Sequence, residues 1–548
     1  MKWLSKNIGI IIFCIAILVL SVRGLSGNPD STQLNTDKWT SEGPFELSPE
    51  RGRFALTYSL VEDKSIYFSK EIARFTIPDL GYINGKYVSL FAPGVSFIVV
   101  PGYLLGKVYG VSQVGSFFVI IIFAVLNALI IQKLAKFFGA GNLTSTLSSL
   151  AFLFATPSFS YAVNLYQHHI STFLLLVSTF LLLTRRGFVK YLLIWFLFGL
   201  SLLVDYPNFF LFLPIIIYSL VEAIIPQMRS SGLTVKVDLW KYFGILGIIL
   251  PLVIFFWYNK SAYGSPLQLA GTVQNVREMD NKGSPARSII PDDNEGDSIE
   301  ESGNTQNATT FFKTRNLANG LYVHLLSPDR GIIYYAPVTL FGILGIVELT
   351  KKKKQTSLLI SVIGVNLILY SMWGDPWGGW GFGSRYLVPS YAFTAPFVGL
   401  AISKFRKNTM FMIMITLTFF YSLSVNTLGA ITTSSNPPEV EVEYLSSQSH
   451  KVEKYTYERN IDFLSSHGSK SYFYNEFLSD WLSPWQFYLV MVAILMSLVT
   501  TFILRMNSFR YGSEIEFVLK GGKEGKNLKV YLEIMDKLKT LPRGIKFW

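Results

Sequence analysis

A single cysteine, Cys14, sits inside the first apolar run of this sequence, so no intrachain disulfide can form. There are only five histidines, and no Cys/His pair has metal-ligand spacing. No Walker-type glycine loop offers a phosphate cradle. No internal repeat is visible, and inverted repeats would have pointed to a transporter. Charge is also scarce. Asp, Glu, Lys and Arg make up 15% of the residues, where a soluble domain averages about 25%.

What remains is largely apolar: 50% hydrophobic residues and a mean hydropathy of +0.37. The net charge of +12 could suggest nucleic acid. The basic residues, however, border apolar segments and form no continuous patch, which suits anionic lipid headgroups. They recur past every second apolar run: Lys2/Lys6, Lys133/Lys136, Arg185/Arg186/Lys190, Arg229/Lys236/Lys241, Lys351 to Lys354, Lys404/Arg406/Lys407 and Arg505/Arg510. That alternation is the positive-inside pattern of a multi-pass membrane protein.

A spanning helix needs about 20 apolar residues. The sequence predicts an α-helical polytopic membrane protein with about twelve spans: near 7–25, 114–136, 143–162, 169–184, 189–204, 207–226, 239–258, 331–349, 356–373, 386–403, 409–430 and 484–505. The first run, Ile8 to Leu20 after Lys2 and Lys6, has no clean small-residue cleavage site behind it and reads as a retained anchor. The apolar run 93–109 is predicted to lie at the outer interface, because a further crossing would put Lys133, Lys136, Arg185 and Arg186 outside. Both termini then face the cytoplasm.

The organisation that follows is a transmembrane region 1–430 with outer loops 26–112 and 259–330. After it come an outer loop 431–483, a last span 484–505 and a basic cytoplasmic tail 506–548. Asp292 to Thr310 is acidic and lacks an apolar period, so disorder is expected there. Val530 to Leu541 could form an amphipathic helix on the inner leaflet.

The first outer loop carries signals of ordered structure. Ser48-Pro49-Glu50 reads as a helix start, with Ser as N-cap and the helix running over 49–63. Asn84-Gly85 predicts a tight turn between strands Gly81–Ile83 and Lys86–Ser89. Glu50 could be no more than a first-turn acid favoured by the helix dipole, and Asp79 no more than a turn former. Arg330 and Arg385 lie at span mouths on the outer side, against the positive-inside rule. Trp377 and Trp380 suit an interface. His168 and His169 are adjacent, so they cannot share one helix face as a chelating pair. Asp205, at the outer end of its helix, is expected to face a cavity or water.

Taken in order, these pieces resemble a known family. An acid followed by Arg and an aromatic (Glu50-Arg51-Gly52-Arg53-Phe54) comes first. Tyr82-Ile83-Asn84-Gly85-Lys86-Tyr87-Val88-Ser89 and Ala92-Pro93-Gly94 follow. Further on are Ser327-Pro328-Asp329-Arg330-Gly331 and Trp377-Gly378-Gly379-Trp380-Gly381-Phe382-Gly383-Ser384-Arg385-Tyr386. Over residues 1–403 this is similar to the GT-C membrane glycosyltransferases, the branch of prokaryotic protein mannosyltransferases and aminoarabinose transferases.

The resemblance implies a hexosyl or pentosyl transferase. It would move a sugar from a polyprenyl-phosphate donor to an outer acceptor (glycan, lipid or protein), with inversion and one carboxylate base. It implies Glu50 as the base with Asp79 as second acid, and Arg385, Arg330 and Arg53 on the donor phosphate. Trp377, Trp380, His168 and Tyr82 would contact substrate. The metal is left open; a divalent cation is the one cofactor to consider. Relatives often have a Lys before the Pro of the interfacial helix, where this chain has Phe91-Ala92. Two alternatives stay open: a transporter or flippase of lipid-linked saccharides, and a non-catalytic assembly protein of the same fold.

Overall fold

The computed structural model describes residues 2–229, 232–281, 283–286, 312–348, 353–449 and 452–521. The acidic segment 292–310, Lys351 and Lys352 of the basic run, and the 530–541 helix lie outside them. The chain divides into two compact units, Met1–Val492 and Ala493–Trp548. The third loop, 431–483, belongs to the first. In the second, the described residues 493–521 are helical.

Helix α1 (Lys2–Ser21) covers the first apolar run, with Cys14 and Leu18 buried. It ends where Ser21 turns its hydroxyl back onto the Ile17 carbonyl, 2.9 Å away. The first loop then folds as its punctuation suggests. Helix α2 (Ser48–Tyr58) starts at the expected place, but its N-cap is Leu47. Ser48 instead donates its hydroxyl to Asp79 Oδ2 at 2.6 Å, and Glu50 accepts the Leu47 N–H at 3.4 Å. The α-helix gives way to a π-turn over Ser59–Asp63.

After helix α3 (Lys70–Thr76), strands β1 (Leu80–Ile83) and β2 (Lys86–Ser89) pair antiparallel around Asn84-Gly85. Both turn residues have positive φ, 50° and 76°, as a two-residue hairpin of this hand requires.

Helix α4 (Gly94–Val108) has 15 residues, a rise of about 22 Å against roughly 30 Å of hydrocarbon. It turns back at Gly110 and packs along α5 (Ser112–Phe138). Backbone contact there requires small residues. A Cβ on Gly102 would lie 2.4 Å from the Gly115 carbonyl oxygen, and one on Gly115 2.2 Å from that of Gly102.

Helices α6 (Asn142–Phe154), α7 (Ser158–Ala162), α8 (His168–Thr184), α9 (Phe188–Val204) and α10 (Asn208–Val221) follow. The expected span 143–162 is therefore two helices, broken at Thr156-Pro157. The expected 331–349 splits likewise at Ala336-Pro337 into Ile332–Tyr335 and Pro337–Glu348. The expected 207–226 stops at Val221. Strands β3 (Ile224–Arg229) and β4 (Gly232–Val237) then form a hairpin that the apolar count missed.

Among the described residues five helices are long and apolar enough to cross a membrane: Ser112–Phe138, Leu239–Tyr263, Arg385–Phe405, Thr409–Ile431 and Pro484–Met506. Six more apolar helices are shorter than 18 residues.

The second loop returns to the first through β5 (Gln274–Val276), which pairs with β1. The third loop is fastened to the end of α1. Tyr472 N–H donates to the Val22 carbonyl at 2.8 Å and Ser471 Oγ to the Leu20 carbonyl at 2.6 Å.

Candidate functional site

Loop segments and helix ends from most of the first unit converge on one cavity of about 430 Å³. The second residue of α2, Pro49, and Arg53 form one wall, continued by Phe91 and Ala92 ahead of α4. Gln167 enters from the start of α8, and Asp205 and Tyr206 from the α9–α10 link. Arg385 and Tyr386 close it from the mouth of the Arg385–Phe405 span. Much of the rest of the lining is aromatic. Phe210 meets Phe312 edge-on at 5.4 Å, Phe312 meets Trp373 at 5.3 Å, and Tyr370 stacks on Tyr386 at 4.2 Å.

The two arginines are held by their faces. Arg53 lies 4.7 Å over the Phe91 ring and 5.8 Å over Tyr166; Arg385 lies 5.4 Å over both Tyr166 and Tyr386. Tyr166 is thus a shared plate between two cations. Phe91-Ala92 precede α4, and α2 supplies the positive charge over the Phe91 ring through Arg53.

Arg53 donates to the Pro49 carbonyl at 2.8 Å and to Gln167 Oε1 at 2.6 Å. Gln167 in turn donates to Asp205 Oδ2 at 3.2 Å. Neither arginine has a carboxylate within 4 Å among the described residues, and the Nε of each is buried without a partner. Burial, with Arg385 nearby, brings the Arg53 guanidinium down to about 10 against the pull of Asp205. It stays charged at neutral pH. Burial raises the Asp205 carboxyl above its usual range, while Arg53 and Gln167 restrain the rise.

Arg385 owes its place to the glycine-rich turn before it. Gly378 has φ +74°, and a Cβ there would sit 3.0 Å from Arg385 Nε. The turn is gripped by Arg330, which is fully buried and donates to the carbonyls of Trp377, Asp329, Gly379 and Asn436 at 2.8–3.0 Å. Arg330, expected on the donor phosphate, therefore does not line the cavity; its donors are committed to carbonyls. Arg330→Met should orphan these buried acceptors at about 1–3 kcal/mol each. The expected result is a large drop in the thermal unfolding midpoint of the purified protein, which Arg330→Lys cannot restore. An unchanged midpoint would contradict the role.

Other expected site residues also lie outside the lining. Tyr82 faces Tyr87 on the hairpin, with ring centroids 5.2 Å apart. Trp380 donates its indole N–H to Glu441 at 2.6 Å, and the Trp377 carbonyl serves Arg330. Asp79 holds Ser48. His168 is buried behind the wall, stacked on Tyr166 at 5.7 Å, with Nε2 unpartnered. Among the described residues, no three His, Cys, Asp or Glu gather as a metal site.

Glu50 is fully buried beside lining Pro49, and its Oε1 has no partner. Burial drives its pKa up to about 7, opposed by Arg23 and assisted by Glu46. Glu46 itself is held at about 2: burial would raise it, but Lys470 at 2.7 Å and Arg23 at 3.0 Å overcome that.

The Glu50 shift has a stability consequence. The unfolded carboxyl ionises near 4.5 and the folded one near 7, so the folded state holds the extra proton between them. Stability should fall as pH rises from about 4.5 to about 7, by about 3 kcal/mol for this group, and stay level above that. Unfolding midpoints across this window should decline less steeply in Glu50→Gln than in the parent.

Gln167, Asp205 and the Tyr370–Tyr386 pair are among the lining residues that had no assigned chemical role from sequence. For Asp205 a signal existed, a carboxylate at the outer end of an apolar helix. For the aromatic pair none did.

No family model matches the sequence, and no curated protein matches it. The chain is similar to ArnT from Cupriavidus metallidurans in two crystal structures. The apo structure aligns at 13% identity over 91% of this chain and 77% of that one, with a TM-score of 0.42. The structure bound to undecaprenyl phosphate aligns at 11% identity over 91% and 78%, with a TM-score of 0.45.

Proposed function

We propose that this protein is a multi-pass membrane glycosyltransferase. It takes a sugar from a polyprenyl-phosphate donor and passes it, with inversion, to an acceptor hydroxyl on the outer face. One observation carries the reading: among the described residues, two guanidiniums without a carboxylate partner within 4 Å, Arg53 and Arg385, line one aromatic-walled cavity together with a single carboxylate, Asp205. The GT-C motif order in the sequence supports it.

In this reading the donor phosphate lies between the guanidiniums, which donate charge-assisted hydrogen bonds in a water-poor pocket. Asp205 takes the proton from the acceptor hydroxyl as its oxygen bonds to the anomeric carbon. The bond from that carbon to the phosphate oxygen breaks. Polyprenyl phosphate leaves as a stable anion and needs no strong acid. The aromatic lining receives the prenyl chain and the sugar face.

The purified protein in lipid, given a panel of polyprenyl-phosphate sugars, should release polyprenyl phosphate with at least one of them. Transfer from none, with movement of a lipid-linked saccharide across the bilayer, would favour a transporter instead.

The reading also fixes sidedness, with roughly twelve crossings and the cavity outside. On a Cys14→Ser background, an impermeant thiol reagent added outside whole cells should label Asp480→Cys and spare Arg186→Cys and Lys407→Cys. Labelling of the last two from outside would reverse the topology.

A further inference from the structure

A second cavity, about 460 Å³, lies between the first and third outer loops, within the usual size range of ligand sites. Gly24, Ser41 to Pro44, Phe463, His467 and Asn475 form most of its lining. The third loop has no counterpart in the motifs read from the sequence, yet buried charge fastens it here. Lys470 reaches Glu46 at 2.7 Å, and Glu46 is also bound by Arg23 at 3.0 Å. Burying such groups is costly unless they are paired, and pairing them across two loops makes the walls rigid.

The lining chemistry selects among ligands. Lys470 is the cation at the wall, but its three N–H donors are committed to Glu46 and to the Ser41 and Gly43 carbonyls at 3.1 and 3.0 Å. No ammonium donor is left for an anion, and Glu42 adds negative charge to the lining. Phe463 and His467 stack at 4.9 Å with their planes 16° apart, one helical turn from each other, and both line the cavity as an aromatic plate that carries Lys470 Nζ 5.2 Å over its Phe463 ring. Asn475 spends one N–H on the Ser469 carbonyl at 3.0 Å, and His467 engages Ser466 through Nδ1. Asn475 Oδ1 and the His467 Nε2 edge remain as hydrogen-bonding groups beside that plate. A flat aromatic face flanked by amide, imidazole and carboxylate groups, with no free cation, matches a sugar ring: C–H faces to stack, hydroxyls to bond.

We propose that this second cavity binds an uncharged saccharide, and that the saccharide is part of the acceptor. The acceptor assignment rests on the transferase reading above; the binding site does not. The segment entering α2 links the two places: Glu46 holds Lys470 of the second cavity, and Pro49, three residues on, lines the first.

Saturation-transfer NMR on the full chain in lipid nanodiscs tests this directly, without donor. The probes are methyl glycosides of glucose, galactose, mannose and N-acetylglucosamine, and their disaccharides. At least one should bind saturably. Phe463→Ala and Asn475→Ala should each weaken it about tenfold or more. Arg385→Ala should leave that affinity unchanged, and inorganic phosphate should not compete. Should Phe463→Ala fail to fold, the surface variant His467→Ala replaces it. The site is overturned if no probe binds, if binding is the same in the variants, or if phosphate displaces the sugar. Saccharide binding without transfer from any polyprenyl donor would keep the site and remove the transferase reading; transfer without saccharide binding would do the opposite.

Discussion

Asp205→Asn should lower glycosyl transfer by about 10²–10⁴-fold, the usual worth of a general base, while donor affinity is largely kept. Asn preserves size and can still meet Gln167, so the loss isolates proton acceptance. Among the described residues Asp205 is the one carboxylate lining the cavity, and burial raises its pKa, which makes it a better proton acceptor than an exposed Asp. Glu50→Gln is the comparison. Glu50 lies behind the wall beside Pro49, so its loss should cost far less. If Glu50→Gln abolishes turnover and Asp205→Asn does not, the base is Glu50 and the wall must open to admit the acceptor.

Arg385→Ala should act on donor binding as well as rate. A charge-assisted contact to an anion is worth about 1.5–3 kcal/mol, so donor KM should rise roughly 10- to 100-fold and kcat should fall too. The phosphate is anionic before and after transfer, hence the shared effect. Arg385→Lys should recover only part, because an ammonium cannot reproduce the planar fork or its stacking on Tyr166 and Tyr386. Arg53→Ala should resemble Arg385→Ala, since both guanidiniums border the same space. Unchanged donor KM and turnover in both alanine variants would place the phosphate elsewhere.

Some of this protein was legible in the sequence because it depends on local chemistry. Apolar runs bordered by Lys and Arg specify helices in a membrane, whatever their neighbours. Ser48-Pro49-Glu50 starts a helix, and Asn84-Gly85 closes a hairpin, through backbone preferences a few residues wide. Arg330 and Arg385 were identifiable as charges that break the positive-inside pattern, whereas Arg53 came only with the family resemblance.

What the sequence could not decide was which side of a wall each charge would take. Arg330 and Arg385 look alike in sequence, each within two residues of a glycine at the start of an apolar run. Only the fold turns Arg330 inward onto four carbonyls and leaves Arg385 toward the cavity. Glu50 and Asp205 were separated in the same way, by whether α2 and the α9–α10 link aimed their carboxylates behind the lining or into it. In the partnership of the third loop with Arg23 and Glu46, Arg23 meets Ser434 across 411 positions and Glu46 meets Thr433 across 387. No local pattern encodes a contact at that distance, because it forms only once buried charges must find each other to offset their lost hydration.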